Sequence, residues 1–141
     1  KAYLRYPAVK FDGRQALAVA RGMAKVIRQL DIVVHACAIM PDHVHLVVAR
    51  HGQTIERLIG FFKRAATRRL TKEGRHPLAG YQDTRGRVPS PWANGGWQVF
   101  LDSPEKVQSR IVYVERNPVE AGLLSQQWSF VTPYAADVDE G

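Results

Sequence analysis

The sequence is poor in cysteine and has no long apolar run. Cys37 is the only cysteine among 141 residues, so an intramolecular disulfide is excluded. No stretch is long and apolar enough to cross a bilayer, and no signal-peptide pattern, internal repeat or low-complexity tract is present. These absences argue against a secreted, disulfide-stabilised or membrane-spanning protein. We therefore expect one cytoplasmic, nucleoid-associated globular domain over residues 1–141, truncated at its N-terminus because it begins with Lys1, with 119–141 as a C-terminal tail.

Acidic residues are outnumbered by basic ones. The chain has 20 Lys and Arg against 13 Asp and Glu, which gives a formal net charge of +7 and a pI near 9.9. Such an excess favours a polyanionic partner, nucleic acid first and an anionic membrane surface second. Charge alone is also compatible with a basic protein that binds neither partner. The choice between these possibilities therefore depends on the residues that could take part in a reaction.

Apolar periodicity and turn residues predict helices alternating with short strands. Asp12 and Gln15 match the capping box that opens a helix, and the Met40–Asp42 turn joins two runs rich in β-branched residues. The predicted elements are a possible strand at Tyr3–Val9, a helix after Asp12, two antiparallel strands within Asp31–Arg50, a helix at Thr54–Leu70, a loop at Thr71–Gly96, a strand at Trp97–Leu101 and a helix at Ser103–Asn117. This order predicts an α+β sandwich in which helices pack on one face of an antiparallel sheet.

Two histidines in the second of these strands form the first chemical pattern. Side chains alternate along a strand, so His43 and His45 point to one face, about 6.6 Å apart along the strand axis, and Val44 points to the other. Two imidazoles presented in this way can bind one divalent metal ion. Two structural histidines at the start of a strand would give the same pattern.

The last predicted helix carries a second pattern. Tyr113 and Asn117 are four residues apart and share a helix face at the edge of the apolar stripe. A tyrosine can act as a nucleophile, and an amide oxygen is an acceptable ligand for Mg²⁺ or Mn²⁺. A packed tyrosine ring and an asparagine at a helix end are the structural alternative.

The helix at Thr54–Leu70 has a basic surface opposite its apolar face. Its exposed positions hold Arg57, Arg64 and Arg68, and the flanking positions hold Lys63 and Arg69. These residues either track a DNA backbone or form a solvated helix face. Trp92 and Trp97 are candidates for stacking on bases or for core packing.

Taken together, the two patterns predict phosphodiester chemistry. A metal ion held by His43, His45 and Asn117 would stabilise charge on a phosphate, and Tyr113 would attack it to form a phosphotyrosine link. Another 3′ hydroxyl can reverse such a link without ATP.

Two sequence blocks resemble one enzyme family. The block Met40–Leu46 (MPDHVHL) and the block Tyr113–Leu123 (YVERNPVEAGL) occur in the order found in single-tyrosine HUH transposases of short insertion sequences, the IS200-like family, including REP-associated tyrosine transposases. The resemblance implies a ferredoxin-like fold and a homodimer that cuts and rejoins single-stranded DNA beside a hairpin. It also implies that His43, His45 and Asn117 bind Mg²⁺ or Mn²⁺ and that Tyr113 is the nucleophile. The opening strand of the family has no counterpart that we can match.

Other functional classes fit less well. Replication initiators and relaxases often carry a second tyrosine or a third histidine, which is absent from the Tyr113 helix and from the neighbourhood of His45. Nucleotide hydrolases of the histidine-triad type need a histidine where this chain has Val47. A non-catalytic nucleic-acid-binding module would have no use for the set of His43, His45, Tyr113 and Asn117.

Overall fold

Three helices and three strands make up the computed structural model, which describes residues 6–92, 96–101 and 103–135. In chain order the elements are α1 (Gly13–Gln29), β1 (Val34–Ile39), β2 (Val44–Val48), α2 (Ile55–Lys72), a short 3-10 helix (Ala79–Tyr81), β3 (Trp97–Leu101) and α3 (Val107–Glu120). No strand is found between residue 6 and α1, and residues 3–5 of the strand expected at Tyr3–Val9 lie outside the described residues. No helix within the described ranges is long and apolar enough to cross a membrane.

The sheet is mixed, with β2 in its centre. The strands β1 and β2 pair antiparallel across the turn at Met40–Asp42, as predicted, and β3 pairs with β2 in parallel. The predicted α+β class is confirmed, but the sheet is not purely antiparallel. The chain returns to β3 through α2, and a crossover of this length delivers the next strand in the same direction.

Helices cover both faces of this sheet, not the single face expected. On one face, the buried side chains of Val44, Leu46 and Val48 pack with those of α1 and α2. On the other face, Ala38 and Val47 pack with three buried residues of α3, which are Val107, Ile111 and Val114. Four of the five residues of β2 are apolar, and they include residues on both faces of the strand. This composition suits a strand that is buried between two layers of helices.

The predicted starts of α1 and α2 are confirmed, and α2 ends at Lys72, two residues after the predicted end at Leu70. The reciprocal hydrogen bonds of Asp12 and Gln15 open α1, and the Thr54 side chain caps α2. Leu17 is apolar but 45 % exposed, because α1 turns Ala18, Val19 and Met23 inward.

The helix α3 does not stop before proline. We predicted an end near Asn117, yet α3 continues to Glu120 with Pro118 inside it, so the predicted tail begins within the helix. Pro118 lacks an N–H and leaves the carbonyl of Val114 without its usual helical partner. Its ring is buried, and backbone bonds from Ala121 to Asn117 and from Leu123 to Pro118 close the last turn.

The segment that follows α3 covers the outer edge of β1. The side-chain amide of Gln126 donates to the Ile39 carbonyl and accepts from the Ile39 N–H, both at 2.8 Å. The Thr132 N–H donates to the Val34 carbonyl at 2.7 Å. The segment therefore takes the place of a neighbouring strand on backbone groups that would otherwise be open to pairing.

The helices α1 and α2 touch most closely at Gly22. A Cβ atom at this position would lie 2.6 Å from the Ala65 carbonyl oxygen and 2.9 Å from the Ala66 Cα. These are backbone atoms of a packed helix, which cannot rotate away as a side chain can. The layer therefore depends on the absence of a side chain at residue 22.

We predict that Gly22→Ala lowers the free energy of unfolding by about 1–3 kcal/mol, because the two helices must separate to admit the methyl group. Urea denaturation followed by circular dichroism measures the change. Gly60→Ala is the matched control, since its new Cβ would meet only the flexible guanidinium of Arg64, at 3.3 Å. That control should stabilise α2 by roughly 0.5–1 kcal/mol. A Gly22→Ala protein as stable as the wild type would contradict the close packing.

Candidate active site

The start of β2 brings two imidazoles together. Val44 is fully buried on the side of α1 and α2, so His43 and His45 point toward α3. Their ring centroids are 4.4 Å apart and the rings are almost perpendicular. The residue before β3 contacts the start of β2: the Gly96 carbonyl accepts a hydrogen bond from the Val44 N–H at 2.6 Å. Gly96 has a φ of +96°, and a Cβ there would lie 3.2 Å from the Asp42 carbonyl oxygen.

The two histidines have different surroundings. The Nδ1 atom of His43 lies 2.5 Å from Oδ1 of Asp42, and its side chain is 33 % exposed. His45 is buried, and its Nδ1 has no hydrogen-bond partner within the described residues. Burial lowers the pKa of His45, and repulsion from His43 lowers it further, whereas the Gln98 side chain and the Asp42 charge partly offset these effects. A lowered pKa keeps the imidazole neutral, which is the form that binds metal ions.

Tyr113 reaches this pair from α3. Its ring centroid lies 5.8 Å from that of His45 and 6.3 Å from that of Phe100, edge-on in both cases. The side chain is 51 % exposed even though its neighbours Ile111 and Val114 are buried. The edge of the apolar stripe therefore places the phenol beside the imidazoles and leaves it accessible to a substrate.

Asn117 lies one turn further along α3 and faces the same cavity as Tyr113. Its amide nitrogen is 3.4 Å from the Tyr113 carbonyl oxygen, which leaves the amide oxygen directed away from that contact. Asn117 is partly buried. An amide oxygen at this place suits a hard divalent cation.

These side chains line one shallow cavity of about 480 Å³. Its lining consists of His43, His45, Gly96, Trp97, Gln98, Tyr113 and Asn117. Among the residues that the structure describes, no group of three or more His, Cys, Asp or Glu side chains is placed to bind a metal ion. A cation here would thus have two imidazole ligands and would depend on amide, water or phosphate oxygens for the rest. Oxygen ligands of this kind suit Mn²⁺ or Mg²⁺, whereas imidazole ligands also suit Zn²⁺ and other transition metal ions.

A second, basic cavity of about 450 Å³ lies between α1 and α2, on the opposite side of the sheet from Tyr113. We call it the α1–α2 groove, and its basic lining residues are Arg21, Lys25, Arg64, Arg68, Arg69 and Lys72. Arg21 and Arg69 are paired with Glu73, at 2.8 and 2.6 Å. The other four form no ion pair with any described residue.

The groove contains some of the predicted DNA-binding residues and not others. Arg64, Arg68 and Arg69 line it, whereas Arg57 and Lys63 do not. Sequence reasoning missed the contribution of α1, since Arg21 and Lys25 join the surface only when the two helices pack. It also missed Asp42, which contacts His43, and Gln98, which lines the cavity beside His45. The only signal for Asp42 was its position next to His43, and the pairing of Gln98 with His45 depends on the register of β3.

The two tryptophans singled out as base-stacking candidates belong to the core. Trp92 is buried and donates from its indole N–H to the Thr67 hydroxyl at 3.0 Å. Trp97 stacks on Phe62 with centroids 5.7 Å apart, although part of its ring lines the histidine cavity. Packing therefore accounts for both residues.

The N-terminal part of the chain is similar to a protein family. The family model described as "Transposase IS200 like" matches residues 5–86, which is 82 of the 141 residues. The match includes His43 and His45 and ends before Tyr113 and Asn117. Searches of the curated proteins and of the solved structures gave no match.

We predict that His45 of the metal-free protein titrates below 6.5, the ordinary value for histidine, since burial penalises its charged form. Because the folded state then binds its proton more weakly than the unfolded state, this group makes folding less favourable as the pH falls through and below about 6.5. An NMR titration of the imidazole resonances, with His45→Gln to assign them, measures the midpoint. A midpoint at or above 6.5 would contradict the prediction.

Proposed function

Because the chain belongs to the IS200-like transposase family, we propose that it nicks single-stranded DNA and transfers the cut strand through a 5′-phosphotyrosine intermediate. The observation that carries the proposal is the convergence of Tyr113 with His43 and His45 in one cavity. The family match ends at residue 86, so the tyrosine comes from a part of the chain that the match does not cover. Its place beside the histidines is therefore an independent argument for a reaction centre.

The proposed reaction exchanges one phosphate ester for another. The Tyr113 oxygen attacks the phosphorus atom, the bond to the 3′ oxygen of the neighbouring nucleotide breaks, and the phosphate stays linked to the tyrosine. The phenol loses its proton to solvent, and the departing 3′ oxygen takes one up. Another strand's 3′ hydroxyl then reverses the exchange. No ATP is required, since the number of ester bonds does not change.

The residues of the cavity divide this work. Half-exposed Tyr113 can meet a phosphate entering from solvent, and its edge-on contacts with His45 and Phe100 limit the directions in which its ring can point. His43, His45 and Asn117 would hold a Mg²⁺ or Mn²⁺ ion. When bound, that ion would supply positive charge next to the phosphate.

The DNA path in this proposal includes the α1–α2 groove. Four cations that form no ion pair with any described residue face one cavity, which suits a phosphate backbone better than isolated surface charges do. They are Lys25, Arg64, Arg68 and Lys72. The proposed partner is single-stranded or hairpin DNA. A homodimer and a nucleoid-associated, cytoplasmic location also stay predictions.

We expect Tyr113→Phe to abolish the covalent protein–DNA adduct and lower nicking by roughly 10³-fold or more, because the nucleophilic oxygen is gone. The assay incubates a labelled hairpin oligonucleotide from the DNA flanking the gene with Mn²⁺ and separates products on a denaturing gel. Tyr81→Phe, an exposed tyrosine in the loop after α2, is the matched control and should behave like the wild type. Nicking that survives in Tyr113→Phe would refute the nucleophile, and DNA binding without any adduct in the wild type would favour a non-catalytic module.

The basic residues of the α1–α2 groove lead to a separate prediction about the affinity for DNA. Arg64→Ala/Arg68→Ala should weaken DNA binding and reduce the slope of log Kd against log salt by about 0.7–0.9 for each phosphate that is no longer neutralised. Fluorescence anisotropy between low and moderate salt measures the slope. Arg14→Ala/Arg28→Ala removes the same charge from exposed positions of α1 that do not line the groove. Equal slopes for the two double variants would place the DNA elsewhere.

A further inference from the structure

The proposed function leaves one charged side chain next to the histidine pair without a role. Asp42 is the last residue of the turn before β2, and its Oδ1 lies 2.5 Å from Nδ1 of His43. The carboxylate is 64 % exposed, so burial does not force this contact. Asp42 is not part of the apolar core, and the pairing of β1 with β2 uses no atom of its side chain.

The contact determines which nitrogen of His43 is available. An ionised carboxylate accepts hydrogen bonds and cannot donate one, so Nδ1 of His43 carries the proton. The other nitrogen, Nε2, then keeps its lone pair. The carboxylate also limits rotation of the imidazole, which is otherwise one-third exposed at the rim of the cavity.

His45 provides an internal contrast. Its Nδ1 is buried and has no partner among the described residues. A cation bound at its other nitrogen would oblige Nδ1 to carry a proton that no described residue accepts, and an unsatisfied buried donor is unfavourable. The two imidazoles, although they come from one motif, are therefore unequal ligands.

The structure assigns Asp42 as the positioning residue of the cation site. It orients the ring of His43, fixes the proton on Nδ1 and presents Nε2 to a divalent cation. The inference depends on the proposed function, since it needs His43 to be a cation ligand.

The decisive experiment determines which ring nitrogen of His43 carries the proton, and it does not depend on catalytic activity. In the metal-free, ¹⁵N-labelled protein, the two ring-nitrogen shifts of His43, assigned with His43→Ala, report which nitrogen carries the proton. We expect the Nδ1–H form in the wild type and a mixture of the two forms in Asp42→Ala. Asp42→Asn keeps an accepting oxygen and should retain most of the Nδ1–H form, a rescue that a purely structural role would not produce.

The second readout is the affinity for Mn²⁺, measured by electron paramagnetic resonance of the free ion. Loss of a carboxylate that supports a histidine ligand typically weakens metal binding by about 10–100-fold, and we expect that loss for Asp42→Ala. Glu56→Gln is the matched control, because it removes one negative charge from an exposed residue of α2 that forms no ion pair with any described residue. Its Mn²⁺ affinity should equal that of the wild type. Thermal unfolding verifies that each variant is folded. If Asp42→Ala is not folded, Asp42→Gly replaces it, because glycine also removes the acceptor and is readily accommodated in a turn.

The outcomes separate this inference from the proposed function. If His43→Ala leaves Mn²⁺ affinity unchanged, the cation site itself is wrong. If His43→Ala loses Mn²⁺ but Asp42→Ala alters neither the proton position nor the affinity, only the role of Asp42 is overturned. If Asp42→Ala weakens Mn²⁺ binding and leaves the proton position of His43 unchanged, Asp42 is a direct ligand and the positioning role is overturned.

Discussion

Burial of β2 between two helical layers is the constraint from which the arrangement of the site follows. The strand is short and all five of its residues are buried, so each side chain must pack against one of the two helical layers. Because side chains alternate along a strand, Val44, Leu46 and Val48 face α1 and α2. His45 and Val47 then have to face α3. A shift of one residue in register would turn the imidazole into the α1–α2 core, where it would be buried among apolar groups without a hydrogen bond.

The same constraint sets the position of α3. Val107, Ile111 and Val114 bury their side chains against β1 and β2, which fixes the rotation of the helix about its axis. Tyr113 and Asn117 lie at the margin of that buried stripe and so fall beside the histidines. Gln126 and Thr132 tie the following segment to the edge of β1, so the C-terminal end of α3 leads into packed structure. The phenol is thus exposed but held by a rigid frame.

Charge is divided between the two sides of the sheet. The histidine cavity contains no lysine or arginine among its lining residues, whereas the α1–α2 groove contains six. A concentrated basic surface attracts a polyanion over distances up to about 10 Å at moderate salt. The neutral cavity, with the lowered pKa of His45, is suited to a cation. In the proposed function, the attraction of DNA and the reaction on it would occur on different surfaces of the molecule.

Local signals in the sequence were enough to predict several structural elements of this protein. The capping pair Asp12 and Gln15, the turn at Met40–Asp42 and the Trp97–Leu101 strand form as predicted, because each depends on residues within a few positions. The alternation of His43 and His45 and the shared face of Tyr113 and Asn117 are also local geometry. Each pattern was visible, but neither showed that the two would meet.

Tertiary structure decided what depends on contacts between distant residues. The parallel pairing of β3 places Gln98 beside His45, and the close approach at Gly22 joins basic residues of two helices into one groove. Burial of Pro118 allows α3 to continue where proline alone predicted an end. The sequence by itself thus determined the chemical groups and the faces on which they lie. Only packing, which sums contacts over the whole chain, determined which faces meet.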